Sequence, residues 1–450
     1  MILLIAAGLG GYGFTINSRP LLLIDTVIWA LWFVLLFAIA TPSTEKYISH
    51  SYKWLRRGAL IIFITIIISG IVEVLAFFFI IPGYVQKYPD TGLGRALTQM
   101  QYGVQYTDST ALCQQAVENL LQGENPYAHA NIIQALIKYD ASFDRVTPLR
   151  LGRFANVFPY PTEAQLQQLW NDAVKDPAKV PVELVSQVCY PAGSFLLPLP
   201  FIAVGINDIR WVYAIFAISG LAYATWRIPR GKRLLFIGAA LISLALWNAI
   251  ADGETGSIVF PLIIVAWLSL GENDWLSAIF MGLAVATKQT AWFLLPFYLI
   301  LLWRKRGLKR MGISTGIIAV VFGAMNAYFF IQNPVLWVTS VLSPMIQPMF
   351  PIGGGIVTLT TSGLLNIQSQ FPFAVLEALA FFASIIWYIR NCAKYPQTGP
   401  ILAIVPFFFA WRSLWSYFFY MDLIVLAGIL LGTKEKSDTG VTQSSPSVTD

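Results

Sequence analysis

The sequence predicts an all-α protein that crosses a membrane many times. Of its 450 residues, 57% are hydrophobic and only 12% are charged. A soluble domain of this length exposes far more charge, so the composition excludes that class. Apolar stretches such as 57–82 and 311–331 extend over about 20 residues, the length that a helix needs to cross roughly 30 Å of hydrocarbon. Each such stretch is predicted to be a spanning helix.

The basic residues form short clusters at the ends of these apolar stretches. The clusters lie at 53–57, 227–233, 303–310, 389–395 and 433–436. This distribution follows the positive-inside rule, which places the clusters in the cytoplasm. The formal charge of +6 therefore does not indicate a nucleic-acid partner, because the clusters do not share one folded domain.

With the basic clusters in the cytoplasm, the order of the elements follows from the amino terminus. Residues 1–15 form a short membrane segment, since they lack the basic start and the cleavage site of a signal peptide. The chain crosses back at 21–41 and out again at 58–82. The prediction divides the chain into N-terminal membrane helices, a large external loop, a transmembrane bundle and a disordered, Ser/Thr-rich cytoplasmic tail, at 1–82, 83–190, 191–432 and 433–450.

Within the external loop, residues 108–122 have apolar side chains at helical spacing and one polar face. Asp108 and Ser109 are predicted N-cap residues, and Gly123 with Pro126 ends the helix. The pattern predicts a surface helix at the membrane interface. On this evidence alone, a helix cap is favoured over a catalytic role for Asp108.

The segment 190–205 follows the loop and has three prolines in about 15 residues. Proline removes a backbone donor and breaks helices, so we expect a broken or re-entrant helix and not a full span. With that assignment, alternation places most later polar turns on the external side. These turns are 252–255, 288–289, 333–370 and 412–416, whereas 272–275 is cytoplasmic.

Three cysteines are too few for a four-thiolate zinc site. Cys113 and Cys189 both fall in the external loop, and Cys392 falls on the cytoplasmic side. The first two are therefore either a disulfide in an oxidising exterior or two unrelated thiols.

Five short motifs follow one another along the chain, all on the predicted external face. They are the polar helix that opens with Asp108 and closes in 123–127 (Gly-Glu-Asn-Pro-Tyr), Tyr190-Pro191, Gly-Glu-Thr-Gly at 253–256, Ala-Thr-Lys-Gln at 286–289 and Trp-Ser-Tyr at 415–417. In this order they resemble glycosyltransferase family 87 of the GT-C glycosyltransferases. Two positions depart from the family pattern: Glu254 replaces a Gln, and Tyr417 replaces a His.

The resemblance implies a GT-C-like bundle of about 11 to 13 transmembrane helices, with interfacial helices in the first external loop. It implies a hexosyltransferase that moves mannose or another hexose, with inversion, from a polyprenyl-phosphate donor to an acceptor hydroxyl. The expected partners are that donor, a lipid or glycan acceptor and membrane lipids, with no nucleic acid. The expected site faces the exterior of the plasma membrane. No cofactor or metal is expected, because a lipid monophosphate needs no divalent ion.

The resemblance also implies roles for particular residues. Asp108 becomes the general base, because a carboxylate can take the proton of the attacking hydroxyl. Lys288 and Arg412 become the cations that bind the donor phosphate, although anchors that snorkel to the headgroups are the commoner alternative. The predicted substrate-binding residues are Glu124, Asn125, Tyr127, Tyr190, Glu254, Gln289 and Tyr417.

Two other functions stay open at this point. A lipid or glycolipid transporter or flippase also has many helices, broken segments and intramembrane acids, here Glu73 and Asp422. The lack of internal repeats and the long external loop speak against it. A catalytically inactive GT-C relative is the other alternative, because Glu254 and Tyr417 depart from the motifs.

Overall fold

The computed structural model describes residues 22–41, 106–141, 143–241 and 243–440, together with positions 64, 68, 71, 75, 87, 91, 92 and 94. For residues 433–440 it describes the backbone alone. The predicted segment 1–15, Glu73 and residues 441–450 of the tail lie outside the described residues. So does the span 58–82, apart from isolated positions.

The described chain is almost entirely helical, which confirms the all-α membrane class. Its α-helices are α1 Leu22–Ala40, α2 Asp108–Leu121, α3 Ile132–Lys138, α4 Glu163–Ala173, α5 Gly193–Leu196, α6 Leu199–Ala203, α7 Ile209–Arg227, α8 Arg233–Leu241, α9 Leu244–Asp252, α10 Gly256–Ser269, α11 Asp274–Val285, α12 Thr290–Gln332, α13 Pro334–Val341, α14 Ser343–Ile346, α15 Thr358–Thr361, α16 Phe371–Asn391, α17 Gly399–Phe409 and α18 Met421–Gly440. Short 3₁₀ turns lie at Phe143–Arg145, Gly152–Phe154, Arg230–Lys232, Pro396–Thr398 and Trp415–Tyr417. The described strands are β1 Ile352–Gly353 and β2 Arg412–Ser413, which pair in parallel.

The centre of the bundle is α10, in which every residue is buried. A helix that is apolar on all sides has no face suited to water or headgroups, so it lies inside a bundle. Helices α7 and α11 pack on α10, and α12 packs on α11 and α17. Helix α1 contacts α15, α17 and α18. The core thus forms between helices that are far apart in the sequence.

Four helices of the described residues are long and apolar enough to cross a membrane. They are Leu23–Ala40, Thr290–Gln332, Phe371–Asn391 and Trp415–Gly432. The pair Arg230–Leu241 and Ala245–Asp252, bent by 55°, makes a fifth span if it crosses as one. The first of these helices confirms the predicted helix at 21–41. The longest is two helices joined at Gly307, where the backbone leaves the helical region inside the basic cluster 303–310.

Several turns meet at one end of the bundle, where basic residues of one turn contact residues of another. Arg227 forms an ion pair with Glu272 at 2.5 Å, and Arg306 lies 3.9 Å from Asp274. Arg304 donates a hydrogen bond to the carbonyl of Ile389 at 3.0 Å. These residues belong to the turns that the sequence assigns to the cytoplasm.

The loop helix α2 is more buried than the predicted surface helix. Its polar side is buried because two residues there find hydrogen-bond partners. Gln114 accepts from Tyr106 and Ile209 and donates to the Asn207 carbonyl. Asn119 donates to the carbonyl of His129. The prediction was wrong because the sequence does not show partners that lie across the fold.

The segment 190–205 consists of two short helices, α5 and α6, separated at Leu197 and Pro198. The predicted broken helix is therefore confirmed. Both pieces contact α2, and α5 also contacts α12. Helix α18 extends to Gly440, so the chain is helical past residue 433, where the predicted tail begins.

Candidate active site

Thr107 caps helix α2, and Asp108 is the first helical residue. The Thr107 side chain accepts a hydrogen bond from the Thr110 N–H at 3.2 Å. The predicted caps, Asp108 and Ser109, lie one and two residues after the observed cap. The sequence did not distinguish them, because Thr, Asp and Ser are all common N-cap residues. Capping therefore does not account for the carboxylate of Asp108.

The start of α2 is joined to the turn between α9 and α10. The Thr107 N–H donates to the Asp252 carbonyl at 3.2 Å, and the Thr110 hydroxyl donates to the Gly253 carbonyl. Gly253 has φ of +78°, and a Cβ atom there would lie 2.5 Å from the Thr110 methyl group. Only glycine suits both the backbone conformation and the close approach. These contacts bring Asp108, at the start of α2, close to Glu254 in the turn between α9 and α10.

The turn that carries Lys288 is held by the opening of α5. The Gly193 N–H donates to the Ala286 carbonyl at 2.8 Å, and a Cβ atom at Gly193 would lie 2.5 Å from that oxygen. The Gln289 amide donates to the carbonyls of Cys189 and Val341, at 2.5 and 2.6 Å. Lys288 is only 2% exposed, and its ammonium lies 5.4 Å from the centre of the Tyr190 ring. Such burial argues against a side chain that snorkels to headgroups.

Arg412 is positioned by the short parallel sheet. Helix α17 ends at Phe409, and the chain then becomes extended and pairs with β1, with Arg412 opposite Ile352. The Arg412 guanidinium donates to the Phe350 carbonyl at 3.5 Å.

A cavity of about 430 Å³ collects the predicted residues from these separate elements. Its size is that of a small-molecule site. The predicted residues that line it are Asp108, Tyr190, Glu254, Lys288, Gln289, Arg412 and Tyr417. One carboxylate assigned as base and two assigned phosphate-binding cations therefore lie on one cavity.

The environment of Asp108 combines burial with four groups that favour the anion. Burial raises the pKa of the Asp108 carboxyl above its ordinary value. The Thr147 hydroxyl donates to one carboxylate oxygen at 2.5 Å, and the Ser109 N–H donates to the other at 2.6 Å. These bonds and the charges of Arg412 and Arg145 act in the opposite direction. The result is a carboxyl with raised basicity and a fixed orientation.

Lys288 and Glu254 influence each other inside the cavity. Burial lowers the pKa of Lys288, while the charge of Glu254 favours its ammonium form. Burial likewise raises the pKa of Glu254, with Asp108 acting in the same direction and Lys288 opposing it. A neutral Gln, the residue of the family pattern, would not support the Lys288 charge in this way.

The Gly-Glu-Asn-Pro-Tyr end of α2 does not line the cavity. Asn125 donates to Gln332 at 2.8 Å and accepts from the Tyr127 N–H at 3.0 Å. The buried Tyr127 hydroxyl donates to the Tyr190 carbonyl at 2.9 Å. Glu124 lies 3.7 Å from His129. Asn125 thus connects the loop to the end of α12, Tyr127 connects it to the start of 190–205, and Glu124 contacts a residue of the loop itself.

Two other predictions concern residues away from the chemistry. Cys113 and Cys189 are free thiols in this structure, and Cys113 is buried beside the hydroxyls of Ser194 and Tyr213. Asp422 accepts a hydrogen bond from the Leu423 N–H at 2.7 Å in the first turn of α18.

Several residues of the cavity are not among those predicted from the sequence. Thr147 bonds Asp108, and the pair Gln187 and Gln347, joined at 2.7 Å, lines the wall. Gln370, which precedes α16, and Glu377 within α16 also line it. No motif contains these positions, and Glu377 is a single acid in an otherwise apolar helix. That isolation was the signal that could have found it.

Comparison with known families gives one result. Residues 189–393 match glycosyltransferase family 87. The match confirms the resemblance and supports a glycosyltransferase. The family 87 segment contains Tyr190, Glu254 and Lys288 but neither Asp108 nor Arg412, and it covers less than half of the 450 residues. No curated protein and no solved structure matches the chain.

Proposed function

We propose that the chain is an inverting hexosyltransferase, which moves mannose or another hexose from a polyprenyl-phosphate donor to a hydroxyl of a lipid or glycan acceptor. The observation that carries the proposal is the cavity lined by Asp108, Lys288 and Arg412 together. The family 87 match supports the reaction class.

Each of these three residues has one part in the reaction. The acceptor oxygen attacks the anomeric carbon as the bond from that carbon to the phosphate oxygen breaks. The Asp108 carboxylate takes the proton of the acceptor hydroxyl, with Thr147 and the Ser109 N–H fixing its orientation. The polyprenyl phosphate leaves with added negative charge, which Lys288 and Arg412 stabilise. Attack opposite to the leaving group inverts the anomeric carbon.

The arrangement of the basic clusters supports a site on the external face of the membrane, which we propose is the plasma membrane. The clusters around Arg227, Arg304 and Arg306 share one end of the bundle through their contacts with Glu272, Ile389 and Asp274. Cytoplasmic placement of that end follows the positive-inside rule. The cavity uses the turns that alternate with those clusters, so it faces the exterior.

The experiment uses the full chain in lipid nanodiscs with radiolabelled polyprenyl-phosphate mannose, glucose or galactose and an extract of membrane lipids. We expect one donor to give a labelled product with inverted anomeric configuration, assigned by NMR. Release of free sugar in the absence of an acceptor would also support donor use. A folded protein that transfers none of these sugars, or a product with retained configuration, would overturn the proposal.

A further inference from the structure

Helix α16 contributes one polar stripe to the cavity. Glu377 and Ala374 line the cavity from α16, together with Gln370, the residue that precedes the helix. Spacings of four and three residues place side chains on one face of a helix. Leu379 and Phe382, which do not line the cavity, are each 61% exposed, as expected for a surface that faces lipid. The stripe therefore lies where the cavity meets the lipid-facing side of the bundle.

The Glu377 carboxyl has no partner among the described residues. No hydrogen bond or ion pair is formed with it by the described residues, although it lies within electrostatic range of Tyr417. Phe407 and Trp411 line the same cavity. An acid in an apolar helix without a partner is costly, so such residues mark functional sites. Asp422, in contrast, accepts a backbone hydrogen bond.

The chemistry of the stripe determines which group it binds. A carboxylate repels a phosphate but accepts hydrogen bonds from hydroxyls, and the Gln370 amide both donates and accepts. The donor phosphate is assigned to Lys288 and Arg412, which leaves the stripe for an uncharged, hydroxyl-bearing group. We propose that Gln370 and Glu377 form a subsite for the hydroxyls of the acceptor headgroup, with its lipid chain along the exposed side of α16. This inference rests on the proposed glycosyl transfer.

Binding of octyl glucoside, a hydroxyl-bearing amphiphile, tests the subsite without any donor. The full chain in nanodiscs is titrated below the critical micelle concentration of the probe, and binding is followed by saturation-transfer NMR. We expect Glu377→Leu to raise the Kd by about tenfold or more, because hydrogen bonds to a carboxylate are lost. Glu377→Gln keeps one acceptor and should have a smaller effect.

Two controls make the result specific. Leu379→Ala changes the same helix outside the cavity, and Lys305→Met removes an exposed charge that does not line the cavity; both should leave the Kd unchanged. Equal Kd values for Glu377→Leu and the unchanged chain would overturn the subsite. Absence of probe binding to the unchanged chain, or an equal loss in Leu379→Ala, would also overturn it. Melting temperatures identify any variant that does not fold.

Steady-state kinetics assign the subsite to the acceptor and not to the donor. Glu377→Gln should raise the KM for the acceptor severalfold and leave the KM for the donor unchanged. A rise in the donor KM alone would overturn the assignment. If Glu377 controls octyl glucoside binding while no sugar is transferred from any donor, the proposed function fails and the subsite does not.

Discussion

The two ends of helix α2 belong to one polar stretch, yet they have different surroundings. At its start, Asp108 lines the cavity and contacts Thr147. At its foot, Asn125 and Tyr127 lie away from the cavity and bond to Gln332 and Tyr190. The resemblance assigned substrate contacts to both ends. This difference shows that one motif can contain both the assigned reacting group and, a few helical turns later, residues that only fix the position of the helix.

The length of the helix explains the separation. With 14 residues, α2 is roughly 21 Å long at about 1.5 Å per residue. Its two ends cannot both touch one anomeric carbon. A motif that spans the whole helix must therefore include residues that do not contact the reacting atoms.

The largest effect is expected from a substitution at the start of the helix, Asp108→Asn. Asp108→Asn should lower the rate of sugar transfer by about 10²- to 10⁴-fold, because the amide cannot take the acceptor proton. Its melting temperature should not fall, since a buried acid becomes neutral. Transfer of radiolabel and thermal unfolding measure the two effects. Glu118→Gln, on the same helix but outside the cavity, is the matched control; full activity in Asp108→Asn would remove Asp108 as the base.

Lys288→Met should have the next largest effect. Loss of the ammonium removes stabilisation of the departing phosphate, and we expect kcat to fall by about 10²- to 10³-fold. The buried position should tolerate methionine without loss of stability. Lys305→Met removes an exposed charge near the other end of the bundle and should leave kcat unchanged. Similar rates in the two variants would contradict the role of Lys288.

The pH profile examines the charges around Asp108. Only the ionised carboxylate can act as base, so kcat/KM should fall as the pH drops through the raised pKa of Asp108. Arg412 favours the ionised form. Arg412→Gln should therefore move this acid limb to higher pH, in addition to any loss of rate. An acid limb that moves to lower pH, or does not move, would show that Arg412 does not act on Asp108.

Tyr127→Phe should have the smallest effect on catalysis, because it changes the foot of the helix. Loss of the hydroxyl leaves the Tyr190 carbonyl without this donor, which should destabilise the fold by about 1 to 3 kcal/mol. The kcat at a temperature below unfolding should change less than severalfold. Thermal unfolding in nanodiscs and the transfer assay separate the two quantities. A large fall in kcat with unchanged stability would place Tyr127 in the chemistry and end the contrast between the two ends.

Local signals in the sequence predicted the elements well. The helix at 108–122, the broken segment 190–205 and the helix at 21–41 all follow from periodicity, proline chemistry and apolar length. Burial of α2 did not follow, because Gln114 finds its partners about a hundred residues further along the chain. For the same reason, no local pattern indicated that Thr147 bonds Asp108 or that Glu377 reaches the cavity.

The joint between Thr110 and Gly253 has an evolutionary consequence. The two positions are 143 residues apart, and the Thr110 hydroxyl bonds the Gly253 carbonyl while its methyl group occupies the space of a Cβ atom. A larger side chain at 253 therefore becomes tolerable only after position 110 has lost its methyl group, and the left-handed backbone must still be accommodated. The pair should vary jointly among relatives whose loop docks in this way, and independently where it does not.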